Sequence, residues 1–156
     1  MKSEHKSLFS IAHDHFHGLM VAQMIKEDSE EIAGFPTSPE AKARYTVHFY
    51  NQELENHFYI EEYILQPAVT GISKEIDEIF NGVVKDHKDI EKMVEGLKDE
   101  KDLVRKLDNL GRLIEQHVEK EERVLFPKLQ ETLSGKELEE LSEKLSANGY
   151  EHIYKY

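Results

Sequence analysis

Two segments of the chain carry the same pattern of residues able to bind a metal ion. Residues 57–67 read HFYIEEYILQP and residues 117–127 read HVEKEERVLFP, so the histidine, both glutamates, the leucine and the proline coincide at an offset of 60 residues. Residues four apart lie on one face of a helix, with Cβ atoms about 5–6 Å apart. Each histidine and the glutamate four residues later can therefore reach one ion, or a neighbouring pair of ions, from one helix.

Both histidine–glutamate pairs lie on apolar stripes with helical spacing, which predicts that they face the protein interior. A buried imidazole or carboxylate is costly unless it is paired or bound to a metal. Two pairs with matching flanks therefore favour a metal site over the alternative, a metal-free helical protein in which each pair is a buried hydrogen bond.

Two other predicted helices supply further candidate ligands. His87 has apolar residues at helical spacings around it, and His15 continues the stripe that contains Leu8 and Ile11. His13 and His17 point toward other faces of the first helix, so the choice among these three histidines depends on helical phase over a short run. The predicted metal ligands are His15, His57, Glu61, His87, His117 and Glu121.

This set of four imidazoles and two carboxylates suits iron best, with manganese or zinc as alternatives. Each glutamate could bridge two ions from one side. Six protein ligands for two ions would also leave coordination positions open for an exogenous ligand.

Helical periodicity and turn signals predict five helices, at residues 4–33, 39–66, 74–99, 102–126 and 136–147. Four long helices with short connections predict an all-α, up-down-up-down four-helix bundle with a short extra C-terminal helix. We interpret residues 1–156 as a single domain, because neither a linker nor a low-complexity segment divides the sequence.

The ends of these helices have recognisable signals. Ser38 is the predicted N-cap of the second helix, and the spacing of residues 134–137 predicts a capping box before the fifth. Pro67 and Pro127 are predicted to close the second and fourth helices, and Asn148 with Gly149 the fifth. Tight turns are expected at Gly71 and at residues 99–102.

Composition narrows the classes of partner and compartment. The chain has no cysteine, which excludes disulfides and clusters ligated by its own thiols. A formal net charge of −12 argues against nucleic acid and anionic membranes as partners. No signal peptide or apolar run of membrane-spanning length is apparent, so we expect a cytoplasmic protein; its oligomeric state is not predicted.

The order of these motifs resembles the haemerythrin-like, or HHE cation-binding, family. A histidine is followed by His-x-x-x-Glu, then by another histidine and a second His-x-x-x-Glu, and the flanks at residues 14–19 and 121–127 are similar as well. The resemblance runs from about Leu8 to Leu145. It implies a haemerythrin-like bundle with two non-haem iron ions, bridged by an oxo or hydroxo group and held at the same six positions.

Two departures distinguish the chain from oxygen-carrying haemerythrins. Those proteins have a second histidine on the third helix where this chain has Glu91, and an aspartate where it has Glu121. The resemblance is therefore to the bacterial type with two His-x-x-x-Glu helices, and it leaves open whether Glu91 is a ligand. It implies binding of, or reaction with, O2 or NO; the alternatives are a redox enzyme, an iron-handling or iron-centre repair protein, and an oxygen or iron sensor.

Tyrosines near the ligand stretches have two interpretations. Tyr45, Tyr59 and Tyr63 could gate or protonate the centre, but ordinary core aromatic residues are the favoured interpretation.

Overall fold

Five helices make up most of this computed structural model, which describes residues 6–147. They are α1 (Lys6–Ile25), α2 (residues 39–69), α3 (Lys74–Glu95), α4 (residues 103–132) and α5 (Gly135–Ala147). No strand occurs within residues 6–147, so the all-helical class and the extra C-terminal helix are confirmed. None of the helices in this range is long and apolar enough to cross a membrane.

Wider helical turns interrupt α2 and α4. In α2, π-helical turns at Tyr50–Leu54 and Glu61–Leu65 separate the α-helical segments Pro39–Phe49, Glu55–Ile60 and Gln66–Val69. In α4, a π-helical turn at Glu121–Leu125 separates Leu103–Lys120 from Phe126–Thr132. The turns at Glu61 and Glu121 occupy equivalent positions in the sequence repeat.

The prediction that Pro67 and Pro127 close their helices was wrong. The α2 helix continues to Val69 and α4 to Thr132. Proline has no N–H and clashes with the preceding helical turn, so it is tolerated best in the first turn of a helix. Each π-helical turn ends just before the proline and places it in the first turn of a new α-helical segment.

Helix α1 also differs from its prediction, because it ends at Ile25 and not near residue 33. The backbone N–H of Glu27 donates to a carboxylate oxygen of Asp108 on α4, at 2.9 Å. The Ser29 hydroxyl donates to the carbonyl of Met24 at 3.0 Å. These contacts satisfy backbone groups that a longer helix would have paired internally.

The predicted starts of α2 and α5 are confirmed, whereas that of the first helix, near residue 4, lies outside the described residues. The Ser38 hydroxyl accepts the N–H of Ala41 at 3.1 Å, which caps α2. Before α5, the Ser134 hydroxyl accepts the N–H of Glu137 and the Glu137 carboxylate accepts the N–H of Ser134. The predicted stop at residues 148–149 lies outside the described residues.

The predicted turns are present as well. Gly71 adopts φ +84° between α2 and α3. Helix α3 passes into a 3₁₀ turn at Gly96–Asp99, and Glu100 and Asp102 then adopt left-handed backbone conformations before α4.

The buried apolar residues form two clusters. One contains Leu8 and Ile11 of α1, Val83 of α3 and Leu125 of α4, together with the buried leucines of α5. The other contains Val21 of α1, Ile90 of α3 and Ile114 of α4. On α1, α3 and α4, the predicted ligands lie between residues of the first cluster and residues of the second. The polar centre therefore separates two apolar regions of the core.

Candidate metal centre

All six predicted ligands are buried and come together from four helices. Their side chains form two groups whose potential ligand atoms lie within 4.8 Å of one another. The first group, which we call position 1, contains His15, His57, Glu61 and Glu121. The second, position 2, contains Glu61, His87, His117 and Glu121.

Glu61 and Glu121 are shared by both positions. Glu121 reaches Nε2 of His15 at 3.2 Å with one oxygen and Nε2 of His117 at 2.7 Å with the other. Glu61 lies 2.5 Å from Nε2 of His57 and 3.8 Å from Nε2 of His87. Glu121 thus directs one oxygen to each position, and Glu61 lies between an imidazole of each position, nearer to His57. Both carboxylates are therefore placed where they could bridge two ions.

The atoms that face this centre are poorly satisfied by the protein. Both carboxylate oxygens of Glu61 and Glu121, and Nε2 of His15, His87 and His117, are buried; despite their close contacts with one another, none meets a partner in the described chain with the geometry of a hydrogen bond. Buried polar atoms in native proteins are nearly always hydrogen-bonded. Imidazole nitrogens and carboxylate oxygens that converge without hydrogen bonds form a donor set suited to a divalent metal ion.

The opposite nitrogen of each histidine is held by a carboxylate. At position 1, Nδ1 of His15 donates to Glu122 at 3.0 Å, and Nδ1 of His57 donates to Asp14 at 3.0 Å. At position 2, Nδ1 of His87 donates to Glu62 at 2.9 Å, and Nδ1 of His117 donates to Asp86 at 3.2 Å. Such outer carboxylates fix the tautomer and ring orientation of a histidine ligand and raise its basicity.

These four contacts form a closed circuit around the helices. The outer carboxylate on α1 binds the histidine ligand on α2, and the carboxylate on α2 binds the histidine on α3. The carboxylate on α3 binds the histidine on α4, and the carboxylate on α4 binds the histidine on α1. Every outer carboxylate directly precedes or follows a predicted ligand in the chain. Each of the four helices therefore orients a ligand of the next.

Charge within the centre shifts several pKa values. Burial favours the neutral form of His15, but the carboxylates of Glu121 and Glu122 outweigh it and raise the pKa of His15 to about 9. Burial also favours the neutral form of His117, but Glu121 and Asp86 outweigh this effect and raise the pKa of His117 to about 9. Burial and the nearby His117 lower the pKa of His87 to about 3.

The two shared carboxyl groups respond in opposite directions. Burial and the adjacent Glu121 raise the pKa of Glu61 well above its usual value. Burial alone would also raise the pKa of Glu121, but His117, Glu61 and His15 stabilise its ionised form and hold that pKa well below its usual value. Without a metal, protons therefore supply part of the positive charge, and a bound cation would displace them.

The other candidate residues lie outside the two positions. His13 is exposed, and His17, in the middle of α1, binds Glu53 and the hydroxyl of Tyr45 on α2. Glu91 is exposed and belongs to neither position. Within residues 6–147, only His15 among the histidines of α1 reaches the centre.

Two of the three tyrosines considered differ from the core aromatic residues expected, whereas Tyr45 is half-buried against the second apolar cluster. Tyr59 and Tyr63 are 53% and 64% exposed and stack on each other with ring centroids 4.8 Å apart. Their rings lie on the protein surface, so neither is a core residue.

Sequence reasoning missed the outer carboxylates and the π-helical turns. A signal for two of the carboxylates was present, because Glu62 and Glu122 are the second glutamates of the repeated motif. The repeated proline six residues after each shared glutamate was the corresponding signal for the turns at Glu61 and Glu121.

The comparison with protein families gives an independent result. The model of the hemerythrin HHE cation binding domain matches residues 1–129. No curated protein and no solved structure matched the chain. With most of its length matched and the histidines and glutamates of its motifs gathered in one buried centre, the chain belongs to the hemerythrin HHE cation-binding domain family.

Proposed function

We propose that this chain is a non-haem di-iron protein whose centre binds or reacts with O2 or NO. The proposal includes one domain over residues 1–156, an up-down-up-down arrangement of α1–α4 and a cytoplasmic location without nucleic-acid or membrane partners. The six metal ligands are those predicted from the sequence: His15, His57, Glu61, His87, His117 and Glu121.

The observation that carries the proposal is the sharing of Glu61 and Glu121 between positions 1 and 2. A mononuclear site would need only one group of ligands. Here each of two adjacent groups offers two imidazoles and reaches both carboxylates, so two ions with bridging carboxylates use every donor. Mixed nitrogen and oxygen donors suit iron, with manganese and zinc as the alternatives.

The protein residues have separable roles in this proposal. The four histidines would hold the ions through Nε2, while the outer carboxylates keep Nδ1 protonated and fix the imidazole planes. The surrounding apolar clusters restrict water access to the centre. When bound, a pair of iron ions supplies redox-active positions for small ligands.

The shape of the interior favours a small uncharged ligand. A narrow, largely apolar pocket borders His15, His57 and His117. Its other lining residues are Asp14, Gly18, Leu54, Phe58, Ile90, Ile114 and Val118. A diatomic molecule needs little desolvation to enter such a narrow, largely apolar pocket, whereas a larger organic anion would have to shed its hydration shell to enter it.

Metal analysis of the purified protein, with an absorption spectrum of the same sample, tests the metal assignment. We expect about two iron ions per chain, as the two ligand groups imply. Glu121→Gln should lose metal, because it alters a ligand of both positions. Glu119→Gln, an exposed glutamate on the same helix, should retain it. Absence of iron after anaerobic incubation with ferrous iron would refute the proposal.

A second experiment tests whether the centre binds or reacts with O2 or NO. The reduced, iron-loaded protein should change its absorption spectrum on exposure to O2 or NO, and the Glu121→Gln variant should not. No spectral change with either gas would contradict this part of the proposal. Steady-state reduction of peroxide or NO faster than by free iron would favour the alternative, a redox enzyme with the same centre.

A further inference from the structure

The two metal positions have matching ligands but different surroundings. Each offers two imidazoles and both shared carboxylates, so the inner donors do not distinguish them. Any difference in affinity between the positions must therefore come from residues outside the ligand set.

The outer residues of position 1 carry two negative charges. Glu122 accepts from His15 and Asp14 accepts from His57. Among the side chains that the structure describes, neither Glu122 nor Asp14 forms an ion pair with a lysine or arginine.

Position 2 differs by one lysine. Glu62 accepts from His87 and Asp86 accepts from His117, but Asp86 also binds Nζ of Lys120 at 2.7 Å. Two further side chains, Lys88 and Glu91, act on Glu62 with opposite charges. The outer layer of position 2 therefore carries one more positive charge than that of position 1.

Lys120 and His117 compete for the same atom. Both donate to Oδ2 of Asp86, with Lys120 at 2.7 Å and His117 at 3.2 Å. The 3.2 Å contact is the longest of the four imidazole–carboxylate bonds. An ammonium group on the same oxygen draws electron density from it, and this reduces the ability of Asp86 to raise the basicity of His117.

Asp86 and Lys120 are also more enclosed than a surface ion pair. The Asp86 side chain is 12% exposed and that of Lys120 is 37% exposed. Partial burial weakens screening by solvent, so the lysine charge acts more strongly on a cation bound at His117 than a fully exposed lysine would.

We propose that Lys120 makes the two metal positions unequal, so that a divalent cation binds first at the His15–His57 position and more weakly at the His87–His117 position. The inference builds on the proposed di-metal function, but it concerns the order and strength of binding. Lys120 is a positioning residue, because it acts on the metal through Asp86 and His117.

An anaerobic titration of the full chain with Co²⁺, followed by visible absorption and calorimetry, measures both binding steps. The wild type should bind two ions in resolved steps. In Lys120→Gln the weaker step should tighten by about tenfold, the effect expected of one unit charge near a divalent ion in a partly solvated site. Lys120→Arg keeps the charge and should behave like the wild type.

Lys85→Gln provides the matched control. Lys85 is adjacent to Asp86 in the chain but is exposed and pairs with Asp89 at 2.7 Å. Lys85 lies close enough to Asp86 for a Coulombic interaction but donates no hydrogen bond to it. Its substitution therefore removes the same charge from the same region while leaving the Lys120–Asp86–His117 contacts in place, so both binding steps should change much less than in Lys120→Gln. An equal tightening in Lys85→Gln would mean that net charge alone, and not the contact with Asp86, sets the affinity, and would overturn the inference.

Two background variants assign the steps to positions. His15→Ala leaves position 2 with its full ligand set, whereas His87→Ala leaves position 1 intact. Adding Lys120→Gln should tighten the remaining site in the His15→Ala background and change it little in the His87→Ala background. A weaker second step, or no change, in Lys120→Gln would show that Lys120 only secures Asp86, and would overturn the inference. A wild type that binds no metal would instead refute the proposed function.

Discussion

Gly111 lies at a close approach of α4 to α1, about two turns before His117. A Cβ atom added at this position would lie 2.8 Å from the backbone carbonyl oxygen of Ala22. It would also lie 3.0 Å from side-chain atoms of Ile25 and Lys26. Gly111→Ala should therefore force the two helices apart, because a backbone oxygen cannot yield as the end of a flexible side chain can.

Two opposing effects set the size of this change. Inserting a methyl group into a well-packed interface costs about 1–3 kcal/mol. Replacing glycine by alanine within a helix returns about 1 kcal/mol of helix propensity. At the contact distances found here, we expect the steric term to dominate, with a net loss of about 1–2 kcal/mol. For a chain of this size, that loss corresponds to a decrease of roughly 2–8 °C in Tm.

Gly82→Ala is the matched control in α3. A Cβ atom there would lie 3.6 Å from Nζ of Lys120, an ordinary contact with a flexible side chain. This variant should gain up to about 1 kcal/mol from helix propensity alone. Urea and thermal unfolding of both metal-free variants would measure the difference between them. A Gly111→Ala protein as stable as the wild type would refute the steric argument.

Three further predictions concern the centre and its surroundings. Removing metal with a chelator should lower the free energy of unfolding by about 4 kcal/mol for each position at which free metal had been roughly 1,000-fold above the Kd. Thermal unfolding would detect this as a Tm decrease of roughly 8–16 °C for each such position. Glu122→Ala removes the acceptor of the His15 Nδ1 proton and should weaken metal binding about 10–100-fold by calorimetry, whereas the exposed Glu119→Ala should not. Leu141→Ala opens a cavity in the first apolar cluster and should lower the free energy of unfolding by about 2–5 kcal/mol, measured with urea. Because α5 lies beyond the residues that the family model matches, unchanged stability would mean that α5 is not part of the folded core.

The ligands of the centre could be predicted from the sequence because their pattern is local. A histidine and a glutamate four residues apart share a face of any α-helix, whatever surrounds it. The repeat at residues 57–67 and 117–127 also indicated that two helices carry the same kind of metal-binding face. The starts of α2 and α5 were predictable for the same reason, since a cap involves a serine and the next three residues.

Other features depended on contacts between distant segments. Helical phase favoured His15 over its neighbours, but only the packed structure places it beside Glu121, which is 106 residues away in the chain. The early end of α1 depends on a contact between Glu27 and Asp108. No local pattern encodes such a contact, because it requires another helix to supply the acceptor.

Local patterns along the chain were enough to predict five helices, the chemical types of the ligands and their grouping in histidine–glutamate pairs. Tertiary structure alone decided that both glutamates are shared by two positions and that each helix orients a ligand of the next. It also decided that Lys120 reaches the carboxylate behind His117. The physical reason is range: spacing along one helix is set by the backbone, whereas contacts between helices arise only when the whole core packs.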